Sequence, residues 1–357
     1  MTLTGPSGQC RPDQQPGVGQ RACPGIVPPH LLRAIARHGT SLQRERALRT
    51  LAVDASLREV REARARPPAG RDNGRGPHRS ISDARHLQQL PGHLVRAEGA
   101  PAVADPAVDE AYDGLGLTWD LYDSVYGRDS LDGRGLGLLG SVHYSTDYDN
   151  AFWDGRQMVF GDGDGELFGR FTASVDVIGH ELTHGVTELE AGLVYAGQSG
   201  ALNESVSDVF GSLVKQHALG QTAEQADWLI GADLLRPGVA GVALRSMSAP
   251  GTAYDDPVLG KDPQPDSMAG YVTTSDDNGG VHLNSGIPNR AFYLAAVAAG
   301  GRAWDTVGKV WYAALTDPGL TPTSDFAAFA ALTVRLAGDY AGDVATAWQT
   351  VGVTVKP

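Results

Sequence analysis

His180-Glu181-Leu182-Thr183-His184 is the strongest chemical signal in this 357-residue sequence. On a helix, positions i and i+4 share a face. Two imidazoles placed that way can meet one metal ion at about 2.0–2.1 Å, the usual zinc–nitrogen distance. Glu181 is rotated about 100° from His180, which aims its carboxylate at a water beside the ion rather than at the ion. Solvated histidines on a surface helix are the plain alternative. Val175, Val177, Ile178, Leu182 and Val186 speak against it, because they make the helix largely apolar, and buried polar groups need partners.

A catalytic zinc needs a third protein ligand and one open position. Gly200–Gly211, GALNESVSDVFG, supplies the candidate. Glu204 follows His184 by enough chain for a helix end, a turn and a return, and it is assigned as the third ligand. Asp208 lies one turn further on, and Asn203 sits beside Glu204. Both suit the outer hydrogen bonds that orient metal-bound imidazoles. For Asp208 the alternative is a plain acid on a helix surface.

With these two segments in hand, the sequence resembles the thermolysin-like neutral metalloproteases. The resemblance extends to DNAFWDG (Asp149–Gly155), QMVFGDGDG (Gln157–Gly165), GLVY (Gly192–Tyr195), LRSMSAP (Leu244–Pro250) and DNGGVHLNSG (Asp277–Gly286), in order along the chain. The segment PPHLL (Pro28–Leu32) and the short leader around it are similar to the protealysin-like branch. The resemblance implies an α+β, two-domain zincin fold with a short N-terminal propeptide. Its N-terminal domain is mixed β/α, its C-terminal domain mainly helical, and the cleft lies between them. It also implies a zinc endopeptidase that prefers bulky hydrophobic residues just after the scissile bond.

The resemblance assigns roles residue by residue. His180, His184 and Glu204 bind one Zn²⁺ per chain, and Glu181 is general base and proton shuttle. Tyr195 and His282 stabilise the tetrahedral intermediate, and Asp277 holds the ring of His282. Asn150, Ala151 and Arg245 bind substrate main chain. Phe168, Phe171, Val177, Ile230, Leu234 and Leu244 line the apolar pocket. Several family members carry a calcium double site, of which Asp176 and Asp227 match two acids. Lys215, Leu229 and Ala232 stand at its other positions, so Ca²⁺ is doubtful here. Lys215 is expected to pair with Asp176 or Asp227 instead.

Helical patterns surround these residues. Pro28–Gly39 and Ser41–Arg66 read as helices, and the Arg-rich stretch Pro67–Pro77 as a cleavable linker. Asp105–Gly127 reads as helix, while Gly137–Ser145 and Gly155–Gly169 read as β runs between Gly/Asp turns. Gly161–Glu166, GDGDGE, resembles the start of a calcium loop but lacks the spaced downstream Glu, so a turn is expected. Beyond Asp176 the pattern is mainly helical. The expected organisation is a leader with linker over 1–70, an N-terminal α+β catalytic domain over 71–190 and a C-terminal helical domain over 191–357.

Composition bounds the rest. With 41% apolar residues the chain has matter for a core, and its net charge of −13 argues against nucleic acid as main partner. No apolar stretch is long enough for a membrane span. Residues 1–100 hold sixteen arginines against eight acids, whereas the remainder carries a balance of −21. The leader is therefore expected to dock in cis on the acidic part, with Pro28–Leu32 in or near the cleft. The two cysteines, Cys10 and Cys23, exclude a disulfide framework. Cys23 is a candidate switch whose thiolate could fill the open metal position. No signal peptide is seen, so the secretion implied by resemblance stands against cytoplasmic retention or non-classical export. The expected partners are protein and peptide substrates, and the expected state is a monomer. The rival readings are a zinc aminopeptidase and a catalytically inactive zinc-binding module.

Overall fold

The computed structural model describes residues 25–63 and 74–355. Cys10, Cys23 and most of the linker lie outside the described residues. Two leader helices come first, α1 (Pro29–His38) and α2 (Ser41–Ala63). Pro29 opens α1, where its fixed φ and missing N–H cost nothing. Leu31, Leu32 and Ile35 form the buried face of α1 and join the main core.

The next elements are β1 (Ser80–Asp83), β2 (His93–Ala97), α3 (Pro106–Tyr126), β3 (Leu139–Val142), β4 (Ala151–Trp153) and β5 (Met158–Phe160). They build a five-stranded mixed sheet in the order β2-β1-β3-β5-β4, in which β1, β3 and β5 run parallel. Helix α3 matches its expected limits because both caps are local: the Asp105 carboxylate accepts the Ala107 N–H, and Gly127 ends the helix with φ 68°. The β runs are shorter than expected. His143 and Ser145 take positive φ of 52° and 57° and break the strand after Val142. After Phe160, the Asp164 carboxylate accepts the N–H groups of Glu166, Leu167 and Phe168. These bonds take the place of a ladder and make GDGDGE a turn.

The zinc-motif helix α4 (Val175–Leu189) then packs on α5 (Gly197–Leu219). Residues 176–187 of α4 are all buried, as its apolar flanks require. Beyond α5 come β6 (Leu229–Ile230), paired with β7 (Arg245–Ser246), and β8 (Asp255–Asp256), paired with β9 (Gly260–Lys261). The C-terminal helices are α6 (Asp277–Asn284), α7 (Gly286–Ala299), α8 (Val307–Leu315), α9 (Phe326–Leu336) and α10 (Ala341–Thr350).

Two glycines set the spacing of the central helix pair. A Cβ on Gly211 would stand 2.4 Å from the Asp176 carbonyl oxygen and 3.0 Å from the His180 nitrogen. A Cβ on Gly179 would stand 3.1 Å from the Gly211 Cα. Backbone cannot swing aside as a side chain can, so Gly211→Ala must push α5 away from α4. The expected cost is about 1–3 kcal/mol from overpacking, with weaker zinc retention because Glu204 moves away from both histidines. Thermal unfolding together with chelator-competition titration checks this, and a variant as stable and as zinc-tight as the parent would refute it.

Candidate active site

His180 and His184 lie one turn apart on α4, with their Nε2 atoms 3.0 Å apart. Glu204, on α5, brings Oε2 to 3.6 Å from the His180 Nε2 and Oε1 to 3.5 Å from the His184 Nε2. Ligands at about 2.0–2.1 Å from one ion in tetrahedral geometry stand about 3.3–3.4 Å apart. The triangle therefore has the dimensions of a zinc site. The outer nitrogens agree. The His180 Nδ1 meets the Asp208 carboxylate at 2.8 Å, and the His184 Nδ1 meets the Asn203 side-chain oxygen at 2.8 Å. Both partners accept, so each Nδ1 carries the hydrogen and each Nε2 presents its lone pair inward. Ser207 adds a hydroxyl 3.1 Å from the His184 Nδ1.

Glu181 points to a different partner. Its Oε2 accepts the backbone N–H of Trp153 at 3.0 Å, which ties the carboxylate to β4 at the sheet edge. Tyr195 hydrogen-bonds Glu204 and stands 3.3 Å from the His282 Nε2. His282 approaches along α6, whose first residues Asp277, Asn278, Gly279 and Gly280 all take positive φ. Two glycines make that left-handed run affordable. It turns Asp277 back so that one carboxylate oxygen meets the His282 Nδ1 at 2.8 Å and the other accepts the His282 N–H at 2.9 Å. Burial alone would lower the His282 pKa, but Asp277 and Glu204 outweigh it and raise it to about 9. Burial likewise pushes Glu204 up, and the charges of His282, His184, His180 and Arg245 bring it down to about 2. The arrangement can thus present a carboxylate base, a phenol and an imidazolium around one metal position.

Asp208 does more than orient His180. Arg245, from β7, donates to both of its oxygens at 2.8 and 2.9 Å, and the Asn289 side chain donates at 2.8 Å. Burial opposes the charge on Asp208, yet Arg245 and His180 hold its pKa well below the ordinary carboxylate range. No local sequence pattern links Asn289 or the Trp153 N–H to the motif.

Leader backbone meets the residues assigned to substrate main chain. The Ile26 N–H donates to the Ala151 carbonyl at 3.1 Å, and the Val27 N–H to the Asn150 side-chain oxygen at 2.9 Å. The Ile26 carbonyl accepts from Arg245 at 3.1 Å. Asn150, Ala151 and Arg245, assigned to substrate main chain, are thus all engaged by leader backbone. Gly25 permits this approach: a Cβ there would stand 2.4 Å from the Ala151 oxygen. Further along, α2 places Asp54 against the same asparagine. Its carboxylate accepts from the Asn150 amide nitrogen at 3.1 Å and from the Tyr148 hydroxyl at 2.5 Å. Arg46 bridges Asp147 at 3.1 Å and Glu166 at 3.0 Å. His30 meets the Tyr254 hydroxyl at 3.3 Å. Phe168, Phe171, Val177, Ile230, Leu234 and Leu244 are all buried and belong to one core cluster that also contains Ile26 and Val27.

Lys215 takes the position expected of it. Its ammonium lies 2.7 Å from Asp227 and 3.9 Å from Asp176. Burial lowers its pKa, but Asp176 and Asp227 raise it above the ordinary lysine value.

Comparison with known proteins places this geometry in context. The model of the thermolysin metallopeptidase catalytic domain matches residues 75–188, and that of the thermolysin metallopeptidase alpha-helical domain matches residues 191–353. The chain is 57% identical over 340 residues to an extracellular metalloprotease of Pectobacterium carotovorum subsp. carotovorum, covering 93% of this chain and 96% of that protein. It is 48% identical over 345 residues to protease PrtS of a Photorhabdus strain, covering 93% and 92% of the two chains. Among solved structures, the precursor of protealysin, a metalloproteinase from Serratia proteamaculans, superposes with a TM-score of 0.85 at 56% identity. That match covers 92% of this chain and 99% of the other.

Proposed function

The chain belongs to the thermolysin metallopeptidase family and is a zinc-dependent endopeptidase, and from that premise we propose how its residues divide the work. His180, His184 and Glu204 hold the zinc. When bound, zinc acts as a Lewis acid and lets water ionise near pH 7. Glu181 takes the proton of the attacking water and passes it to the leaving amine, its carboxylate steadied by the Trp153 N–H. Tyr195 and His282 donate to the oxyanion, and Asp277 keeps His282 oriented and protonated. Asn150, Ala151 and Arg245 align the substrate backbone. The six apolar residues around Phe168 select a bulky side chain after the scissile bond. The observation that carries this reading is the His180–His184–Glu204 triangle with Glu181, Tyr195 and His282 around it.

The proposal extends to regulation and setting. Residues 1–70 act as an inhibitory propeptide in cis, ahead of catalytic domains over 71–190 and 191–357. Leader backbone at Ile26 and Val27 engages the three groups that would otherwise take substrate backbone. Asp54 fixes the Asn150 amide for that contact. The enzyme works outside the cell, as the name of the Pectobacterium relative suggests, and as a monomer. No helix among the described residues is long and apolar enough to cross a membrane. Lys215 replaces calcium between Asp176 and Asp227.

Three measurements test these statements. Glu181→Ala lowers kcat/KM on an N-blocked peptide by about 10²–10⁴-fold while the zinc content stays unchanged. Undiminished hydrolysis would remove Glu181 from the mechanism, and activity confined to free N-termini would favour the aminopeptidase reading. Asp54→Ala in the full chain removes a buried charge-assisted contact worth about 1.5–3 kcal/mol. Self-maturation, followed by N-terminal sequencing, is then expected to run roughly ten- to hundredfold faster; an unchanged rate would show that α2 does not contribute to latency. Millimolar Ca²⁺ leaves the unfolding temperature of the zinc-loaded protein unchanged, and a clear upward shift would overturn the lysine substitution.

A further inference from the structure

The parallel strands β1, β3 and β5 finish at the same end of the sheet, and a second group of side chains able to ligate a metal gathers there. His86 follows β1, His143 follows β3 directly, and Asp162 follows β5. One ligand atom from each lies within 4.8 Å of the others. The His143 Nδ1 stands 2.9 Å from both Asp162 oxygens, and the His86 Nδ1 stands 3.5 Å from one of them. The two rings are 5.6 Å apart between centroids. On its far side, the His143 Nε2 meets the Asp105 carboxylate at 3.0 Å.

We propose that His86, His143 and Asp162 form a second binding site, distinct from the cleft, for a late first-row divalent cation of the zinc class. Two imidazoles and one carboxylate are a donor set for zinc, nickel or copper, whereas calcium and magnesium take oxygen ligands. Asp105 supplies the outer carboxylate that metal-binding histidines characteristically have, and it leaves Nδ1 of His143 as the inward nitrogen. Asp105 is itself fixed, because its other oxygen caps α3 through the Ala107 N–H at 3.0 Å. The backbone holds the two histidines in register. The His86 N–H donates to the His143 carbonyl at 2.8 Å, and both residues take positive φ, 59° and 52°. The two spacings to Asp162, 2.9 and 3.5 Å, bracket the 3.3–3.4 Å that about 2.0–2.1 Å ligand distances require, and the two histidine nitrogens lie within 4.8 Å of each other. The His86 side chain is 58% exposed, and its Nδ1 also meets the Ser145 carbonyl at 3.3 Å, a contact that metal binding would exchange for the ion, with water completing the coordination. Bound there, a cation would tie the ends of three strands to the start of α3 and stabilise the N-terminal domain. The competing state is a protonated His143 clasped between Asp105 and Asp162 with no metal.

Metal stoichiometry decides between the two. The full chain carrying Glu181→Ala, which cannot cut itself, is equilibrated with micromolar free Zn²⁺, and its metal content is measured by elemental analysis. About two zinc ions per chain are expected, falling to about one when His86→Ala or Asp162→Asn is added, with the catalytic ion retained. Added zinc is expected to raise the unfolding temperature of the parent beyond the one-ion level, and not that of the His86→Ala chain. His86 is exposed, so its removal leaves the fold intact. In the otherwise wild-type enzyme the same substitution leaves peptide hydrolysis unchanged. One zinc per chain in the parent, or two retained in both variants, would overturn the proposal and leave the imidazolium clasp.

Discussion

A single buried carboxylate organises this molecule. Asp208 is fully buried, and a charge without solvent persists only if it is paired and hydrogen-bonded. Its partners are His180, Arg245 and Asn289, drawn from three different elements. The pairing fixes the tautomer of a zinc ligand, positions the arginine that meets peptide backbone, and joins α7 to the central helices. Removing Arg245 would strand the Asp208 charge in the interior at a cost of about 3–5 kcal/mol. The proposed metal site, the Arg245 contact and the packing of α7 therefore share one carboxylate. The close approach of α4 and α5 at Gly179 and Gly211 is what lets Asp208 reach His180 at all.

Under the proposed function, the leader occupies groups that would otherwise align a substrate. Its backbone at Ile26 and Val27 meets the same groups expected to align a substrate, and it reaches Asp208 indirectly through Arg245. The opposite charges of the two parts of the chain become concrete at Arg46, which sits between Asp147 and Glu166. Its carboxylate partners are partly exposed and screened by salt, so this contact steers docking more than it holds it. The buried Asp54 contact with Asn150 and the apolar face of α1 supply the grip. Latency in this reading needs no distortion of the zinc ligands.

Positive-φ backbone helps assemble both groups of candidate functional residues. The left-handed run at Asp277–Gly280 lets one carboxylate hold both the ring and the backbone of His282. Positive φ at His86 and His143 gathers a second set of ligating groups at the strand ends. Such strain persists when hydrogen bonds on either side over-determine it, as the His86–His143 backbone bond does.

The sequence by itself determined the parts whose logic is periodic or local. His180 and His184 share a face because a helix repeats every 3.6 residues, and Glu204 with Asp208 repeats that spacing. Helix α3 was legible to the residue at both caps because Asp105 and Gly127 act within one turn. The resemblance to a known family carried Tyr195, His282, Asp277 and Arg245, which no spacing rule would have joined. Tertiary structure alone decided the rest. Asn289 reaches Asp208 across 81 positions, Asp54 reaches Asn150 across 96, and the Trp153 N–H finds Glu181 across 28. His86, His143 and Asp162 come together only because three parallel strands finish at one end of the sheet. Local propensity acts over a turn or a strand, whereas the meeting of distant polar groups is fixed by which apolar faces pack. Apolar packing gives no sign in the sequence of the polar neighbours it will bring together.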